Sequence, residues 1–287
     1  MPLSVAERKG NKMIKKLTDR EKRNFRPLIA AHRGTYSGNF IQNTLPAFKN
    51  SLIHNADIVE MDVELSADGI LYLMHSNMEK LLLNCDKSIR EMNSSEIDQL
   101  KYVNVVRLVT EQKVGRLDEA LEALKGKCLI NIDRAWDFFP QVFKVVNEKD
   151  MFSQIIFKSG LKDGIFEIIK DSGFEINFMP IVSSVSEIEL AIQSGVKPIG
   201  FELIFRDEAS EFANDEFIEK MHNEGYILWV NALSIWDNCN MSAMHNDETA
   251  ILEDMNKGWG WLIDKGYDVI QTDWPLLLDN YIKSKNK

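Results

Sequence analysis

"PLIAAHRGTYSGNFIQNTLPAFKNSLIHNADIVEMDV", residues 27–63, contains one complete strand–helix–strand unit. The run 27–32 is apolar up to His32, as a buried strand is, and then stops on His32, Arg33 and Gly34 before polar turn residues. A core strand gains nothing from burying an Arg, which is costly unless paired. An anion is therefore expected where this strand ends. Residues 44–55 place apolar side chains at i, i+3 and i+4 and close on Asn55, the pattern of a helix and its stop. Residues 57–63 form a second apolar run, in which the period of two sets Glu60 and Asp62 on one face.

The same alternation continues to the end of the chain. The runs "KCLINID" (127–133), "QIIFK" (154–158), "FMPIV" (178–182), "KPIGFELI" (197–204), "YILWVNA" (226–232) and "DVIQTD" (268–273) bring the strands to eight. Helical segments such as "RLDEALEALKG" and "SVSEIELAIQSG" lie between them. Strands alternating with helices imply a parallel sheet joined by crossovers. Eight such units predict a closed (β/α)8 barrel of the TIM type. A doubly wound open sheet is the alternative, and the GxGxxG turn that would mark it is missing after the first strand. One segment breaks the alternation. In "VELSADGILYLMHSN" a turn at Asp68-Gly69 leads into a further strand with Leu71, Leu73 and His75 on one face, a hairpin signal. The chain thus reads as a basic lead over residues 1–26 and a barrel over 27–287, with a small inserted subdomain after the second strand at about 64–115.

Composition sets the class. A hydrophobic content of 45% suffices for a sizeable core, and a net charge of −10 argues against a nucleic-acid partner. Residues 1–26 hold nine Lys/Arg against three Asp/Glu, so the lead carries +6 and the remainder −16. Such a lead is a solvated arm in the plainer reading and a weak peripheral contact with an anionic membrane in the other. There is no cleavable apolar leader, and no run approaches the ~18 apolar residues of a membrane span. Cys85, Cys128 and Cys239 are odd in number and widely spaced, as reduced cysteines of a cytoplasmic protein are.

Functional side chains of such barrels sit at the C-terminal ends of the strands. There this chain carries His32 and Arg33, Glu60 and Asp62, His75, Asn131 and Asp133, Lys158, Trp229 and Asn231, and Thr272 and Asp273. Asp and Glu are depleted in strands, yet Glu60, Asp62 and Asp133 converge on one mouth. Left together they would repel one another and raise their own pKa values, a cost that a divalent cation removes. All-oxygen donors point to Mg²⁺ or Ca²⁺ rather than zinc. Beside a metal-bound phosphate, His32 and His75 suit general acid and base work, and Arg33 and Lys158 suit neutralisation of phosphate oxygens. Trp229, Trp236 and Trp274 lie near strand ends and would form a face for a choline-like cation, or pack under loops. Gln42, Trp229 and Asn231 are the candidates for the substrate pocket. His54, His222 and His245 read as structural.

In combination, "HRG" (32–34), "NT" (43–44), "ExD" (60–62), the hairpin ending at His75 and the late Thr272, Asp273 and Pro275 resemble the glycerophosphodiester phosphodiesterases, from about residue 27 to 281. The resemblance implies a TIM barrel with a small insertion that hydrolyses glycerophosphodiesters to glycerol 3-phosphate and an alcohol with Mg²⁺ or Ca²⁺. It assigns Glu60 and Asp62 to the metal, His32 and His75 to catalysis, and Arg33 to the phosphate. Four features depart from the family pattern. Ile41-Gln42 replace Pro-Glu, Ser76 replaces the Asp after the hairpin His, Asp133 replaces a Glu ligand, and Ala135 replaces a Lys. Side-chain direction favours Lys158 over Arg134 as the substitute for that Lys. Two alternatives stand beside this reading: a sphingomyelinase D-like lysophospholipid phosphodiesterase, and a catalytically silent barrel that binds a phosphodiester.

Overall fold

The computed structural model describes residues 26–234 and 240–285. The basic lead up to residue 25, Trp236 and Cys239 lie outside the described residues. Each of the eight apolar runs is a strand. They are β1 (Leu28–Ala31), β2 (Ile58–Leu65), β6 (Leu129–Asp133), β7 (Ile155–Ser159), β8 (Phe178–Val182), β9 (Gly200–Leu203), β10 (Ile227–Asn231) and β11 (Val269–Thr272). Neighbours pair in parallel in the order β1-β11-β10-β9-β8-β7-β6-β2, and β1 also pairs with β2 through Ala30–Ile58 and Ala31–Val59. The sheet is closed, and the barrel read from the sequence is the fold.

Alternate residues of each strand face the barrel interior. Towards the N-terminal ends these positions are apolar: Leu28, Ala30, Ile58, Leu129, Ile156, Met179, Ile227 and Val269 pack as a plug beneath Trp229. Two residues further along, the same face turns polar, at His32, Glu60, Asn131, Lys158 and Gln271, all of them buried. The opposite faces of the strands pack on the helices in two large clusters, one around Phe139, Phe143 and Phe157 and the other around Phe201, Phe212 and Trp259. A site at one end of the barrel is therefore carried on a floor that is apolar both within and without.

Between β2 and β6 the chain leaves the barrel. β2 continues to Leu65 and pairs antiparallel with β3 (Leu71–Leu73) across the turn at Asp68 and Gly69. Beyond it come the short helices Glu79–Leu83 and Ser94–Ile97 and a hairpin of β4 (Lys101–Val103) and β5 (Val109–Lys113). These elements share a core of their own, with Tyr72, Met74, Ile89, Ile97 and Tyr102 fully or almost fully buried. Cys85 and Cys128 are unpaired, and among the described residues no helix is long and apolar enough to cross a membrane.

Candidate active site

The loop after β1 is shaped by two left-handed residues, Arg33 (φ +53°) and Gly34 (φ +73°). A Cβ on Gly34 would stand 2.8 Å from the Ala47 carbonyl carbon and 2.9 Å from the Phe48 ring, so only glycine lets the loop press on the helix Leu45–Ile53. The loop is then fastened to β2. The Arg33 N–H donates to Glu60 Oε2 at 2.6 Å, and the Asn43 side chain exchanges two 3.0 Å bonds with the main chain of Asp62. The Arg33 guanidinium donates to Gln42 Oε1 at 2.8 Å and stands 3.0 Å from Asp62 Oδ2. The anion that first meets this Arg is therefore the chain's own Asp62.

Glu60 and Asp62 on β2 lie in register with Asn131 and Asp133 on β6, which brings the three carboxylates together. Burial raises Glu60 well above its ordinary pKa, and the charges of Asp62 and Asp133 add to the shift. Asp133 is pushed up to about 6, by burial first and then by Glu202, with Asp62 adding to it. All three line one cavity of about 350 Å³ with His32, Arg33, Arg134, Glu202, Asn231 and Gln271. Among the described residues no three His, Cys, Asp or Glu side chains are arranged to hold a metal ion. Asp62 is turned to Arg33, and Glu60 accepts from the Arg33 main chain. The donor chemistry nevertheless fits a hard cation. The set is all oxygen, and the buried Asp62 Oδ2 has no hydrogen bond of its own.

Both histidines read from the sequence are held through Nδ1. His32 Nδ1 lies 2.9 Å from Asp273 Oδ1, and His75 Nδ1 lies 2.7 Å from the Ser76 carbonyl. A carbonyl only accepts, so His75 carries its proton on Nδ1 and presents a bare Nε2. His32 lines the cavity. His75 does not, but it follows Met74, whose N–H donates to the Asp62 carbonyl at 3.2 Å. Burial lowers its pKa; Asp62 opposes that, and the charges of Arg33 and Arg134 reinforce it.

Lys158 is placed differently from the phosphate-binding position expected of it. Its ammonium is fully buried, 2.7 Å from Glu202 Oε2 and 3.1 Å from the centre of the Trp229 ring. Burial holds it below the ordinary lysine range, with Glu202 opposing. Glu202 also accepts from Asn231 Nδ2 at 2.6 Å, and Trp229 donates to Gln271 Oε1 at 3.1 Å. Trp229 is wholly buried beneath this network and offers no open ring face, whereas Asn231 and Gln271 reach the cavity. Trp274 is half exposed on a separate groove. His245 stacks on Trp261 and contacts Glu208 at 3.0 Å, His222 pairs with Asp268, and His54 caps the C-terminal end of the helix Leu45–Ile53.

Two acidic residues of this region went unassigned in the sequence. Glu202 stands in the buried run "GFEL", where a charge is itself the signal. Asp247 lies in a polar loop without any such mark. Its carboxylate accepts from Trp259 Nε1 and Thr272 Oγ1 at 2.7 Å each and from the Asp273 N–H at 2.9 Å, so it sets the residue that holds His32. Burial, with Asp273 adding to it, pushes Asp247 up to about 7.

Comparison with known proteins gives a consistent result. Residues 32–187 match the model of the glycerophosphoryl diester phosphodiesterase family, and residues 178–282 match a domain of unknown function. The chain is 25% identical over 260 residues to the uncharacterised protein YqiK of Bacillus subtilis, covering 86% of this chain and 95% of that one. Its fold is similar to that of a glycerophosphoryl diester phosphodiesterase from Parabacteroides distasonis, with a TM-score of 0.74 at 16% identity over 90% of this chain and 87% of the other. It is also similar to that of an Oleispira antarctica phosphodiesterase solved with the product sn-glycerol-3-phosphate, with a TM-score of 0.65 at 18% identity over 91% and 98% of the two chains.

Proposed function

Because this chain belongs to the glycerophosphoryl diester phosphodiesterase family, we propose that it hydrolyses glycerophosphodiesters to sn-glycerol 3-phosphate and an alcohol, with His32 and His75 exchanging protons at the phosphate. One observation carries the reading. His32, anchored through Nδ1, lines one cavity with Arg33 and three carboxylates, and His75, also anchored through Nδ1, follows Met74, which is bonded to the Asp62 main chain. Such anchoring leaves Nε2 of each ring for proton transfer. Asp273 orients His32, and the Ser76 carbonyl orients His75. Arg33 neutralises a phosphate oxygen once the phosphodiester competes with Asp62 for its guanidinium. Glu202, braced by Lys158 and Asn231, closes the far wall of the cavity.

Glu60, Asp62 and Asp133 would hold one divalent cation, Mg²⁺ or Ca²⁺. When bound it would relieve the mutual repulsion of the three and supply Lewis-acid stabilisation of charge at phosphorus. The test is release of glycerol 3-phosphate from glycerophosphocholine and glycerophosphoethanolamine in EDTA, Mg²⁺ and Ca²⁺. Release restored by a metal and lost in His32→Ala is the expected result. Turnover by the folded protein that is indifferent to both would refute the scheme.

A further inference from the structure

We propose that the tip of the β4–β5 hairpin is a membrane anchor, which inserts into the surface of an anionic bilayer and holds the chain there beside its active-site loop. The tip is the stretch "VNVVRLV" (103–109), which contains no acidic residue. Val105 is 68% exposed, Val106 66%, Leu108 65% and Val109 69%. Single exposed aliphatic residues are ordinary on any protein, but four in five consecutive positions around one turn mark an interaction surface. The hairpin is held rigidly enough to present them. Tyr102, fully buried, donates to the Leu73 carbonyl at 3.2 Å, and Asn104 Nδ2 donates to Asn39 Oδ1 at 2.9 Å, which joins the tip to the loop that carries Arg33.

The polar groups of the turn are arranged for a medium without water. A main-chain group that enters hydrocarbon must bring its hydrogen bond with it. The Asn104 N–H donates to the Leu108 carbonyl and the Arg107 N–H to the Asn104 carbonyl, at 2.9 Å each. The Asn104 side-chain oxygen accepts from the N–H groups of Val106 and Leu108, at 3.2 and 2.9 Å. Arg107 is the one charged residue of the tip, and its left-handed backbone (φ +66°) turns it back on the protein. Its guanidinium donates to the main-chain carbonyls of Leu81 and Lys80 on the helix Glu79–Leu83. What remains facing outward is aliphatic. Protein interfaces are anchored by Trp, Tyr and Arg, whereas residues 103–109 hold no aromatic ring and their Arg is already engaged. Charge selects the kind of bilayer. Residues 101–113 carry Lys101, Arg107 and Lys113 against Glu111, a net +2 in a chain of −10, which complements anionic headgroups around an inserted tip.

The test is co-sedimentation of the full chain with vesicles of mixed phosphatidylcholine and phosphatidylglycerol. It is run at low salt and again at ~1 M salt, which screens exposed charges, those of the basic lead among them. Binding is expected to weaken in high salt and to persist. Val106→Asp and, separately, Leu108→Asp are expected to lower the high-salt partition coefficient by ~10-fold or more, the worth of keeping one such side chain out of hydrocarbon. Both positions are exposed, and unchanged unfolding midpoints verify that the variants are folded. Val106→Trp is expected to be quenched by brominated phosphatidylcholine in these vesicles beyond the quenching of the unsubstituted chain. Absence of vesicle binding overturns the proposal, as does binding that survives both Asp substitutions or a tryptophan that is not quenched. Binding abolished by high salt overturns it in favour of a purely electrostatic contact. A chain that leaves the vesicles alone and forms a dimer, which the same Asp substitutions dissolve in size-exclusion chromatography, overturns it in favour of a second copy as the occupant.

Discussion

Arg33 is held by Gln42 and Asp62 through its side chain and by Glu60 through its main chain, so the residue is oriented before any ligand arrives. Its neighbour His32 depends on Asp273 in the same way. Removing His32 or His75 is expected to lower kcat by ~10²–10⁴, the usual worth of a general acid or base. Asp273→Asn is expected to cost less, because it spoils the orientation of His32 and leaves the imidazole in place. The comparison of kcat across the three variants checks this. Burial keeps His75 neutral below the ordinary imidazole value of 6.5. The acid limb of the kcat/KM profile that belongs to His75 is therefore expected below pH 6.5. A limb at or above 6.5 would remove His75 from the role of base. At this scale the gathering of His32, Arg33, Glu60, Asp62 and Asp133 on one cavity was legible, because they fall at strand ends, where the period of two fixes their direction. The place of Lys158 was not. Its partner Glu202 lies two strands away in the barrel, and no spacing in the sequence encodes that contact.

Among the elements, the loop after β1 and the loop before the last helices carry the strongest constraints. Gly34→Ala forces a Cβ into the Ala47 main chain at a positive φ and is expected to cost about 1–3 kcal/mol. Gly126→Ala, at φ +74° with open space around it, bears only the backbone part of that cost and is the control. Urea unfolding of the two variants checks the difference. Asp247 presents a linkage. Its pKa is about 7 in the folded chain against an ordinary 3.8, so the folded state holds the proton more tightly. Its contribution to stability is full below pH 3.8 and is lost as pH rises to about 7. Asp247→Asn is expected to flatten that decline. It also leaves the Asp273 N–H facing a donor, at a cost of about 1–3 kcal/mol at neutral pH. Unfolding midpoints measured from pH 4 to 8 test both. The eight strands were legible because each is an apolar run bounded by turn residues. The reach of Asp247 was hidden because a polar loop looks alike whether its carboxylate is solvated or buried.

For the whole molecule, the decisive fact is closure. The two regions that match separate family models divide the barrel: residues 32–187 hold β2 to β8, residues 178–282 hold β8 to β11, and β1 lies just before the first of them. Neither piece can close the sheet, and each would expose unpaired strand edges. Residues 178–282 produced alone are therefore expected to show no cooperative thermal unfolding by circular dichroism. A sharp transition would mean that this part is a domain in its own right. The polar layer inside the barrel gives a second prediction. Lys158→Met strands Glu202 as a buried charge and is expected to cost ~3–5 kcal/mol, and adding Glu202→Gln is expected to restore part of it. Equal stability of the single and double variants in chemical denaturation would deny the coupling.

Among the described residues β11 is the last strand and sits beside β1, the first, so the ring has a seam where its two ends meet. His32 leaves one side of that seam and Asp273 the other, and their contact spans it. During synthesis from the N-terminus the histidine emerges long before the carboxylate that orients it. A nascent chain can thus carry both imidazoles, Arg33 and all three acidic ligand candidates and still lack the contact that aligns the first imidazole. In this protein, completing the ring and arming the chemistry are one event.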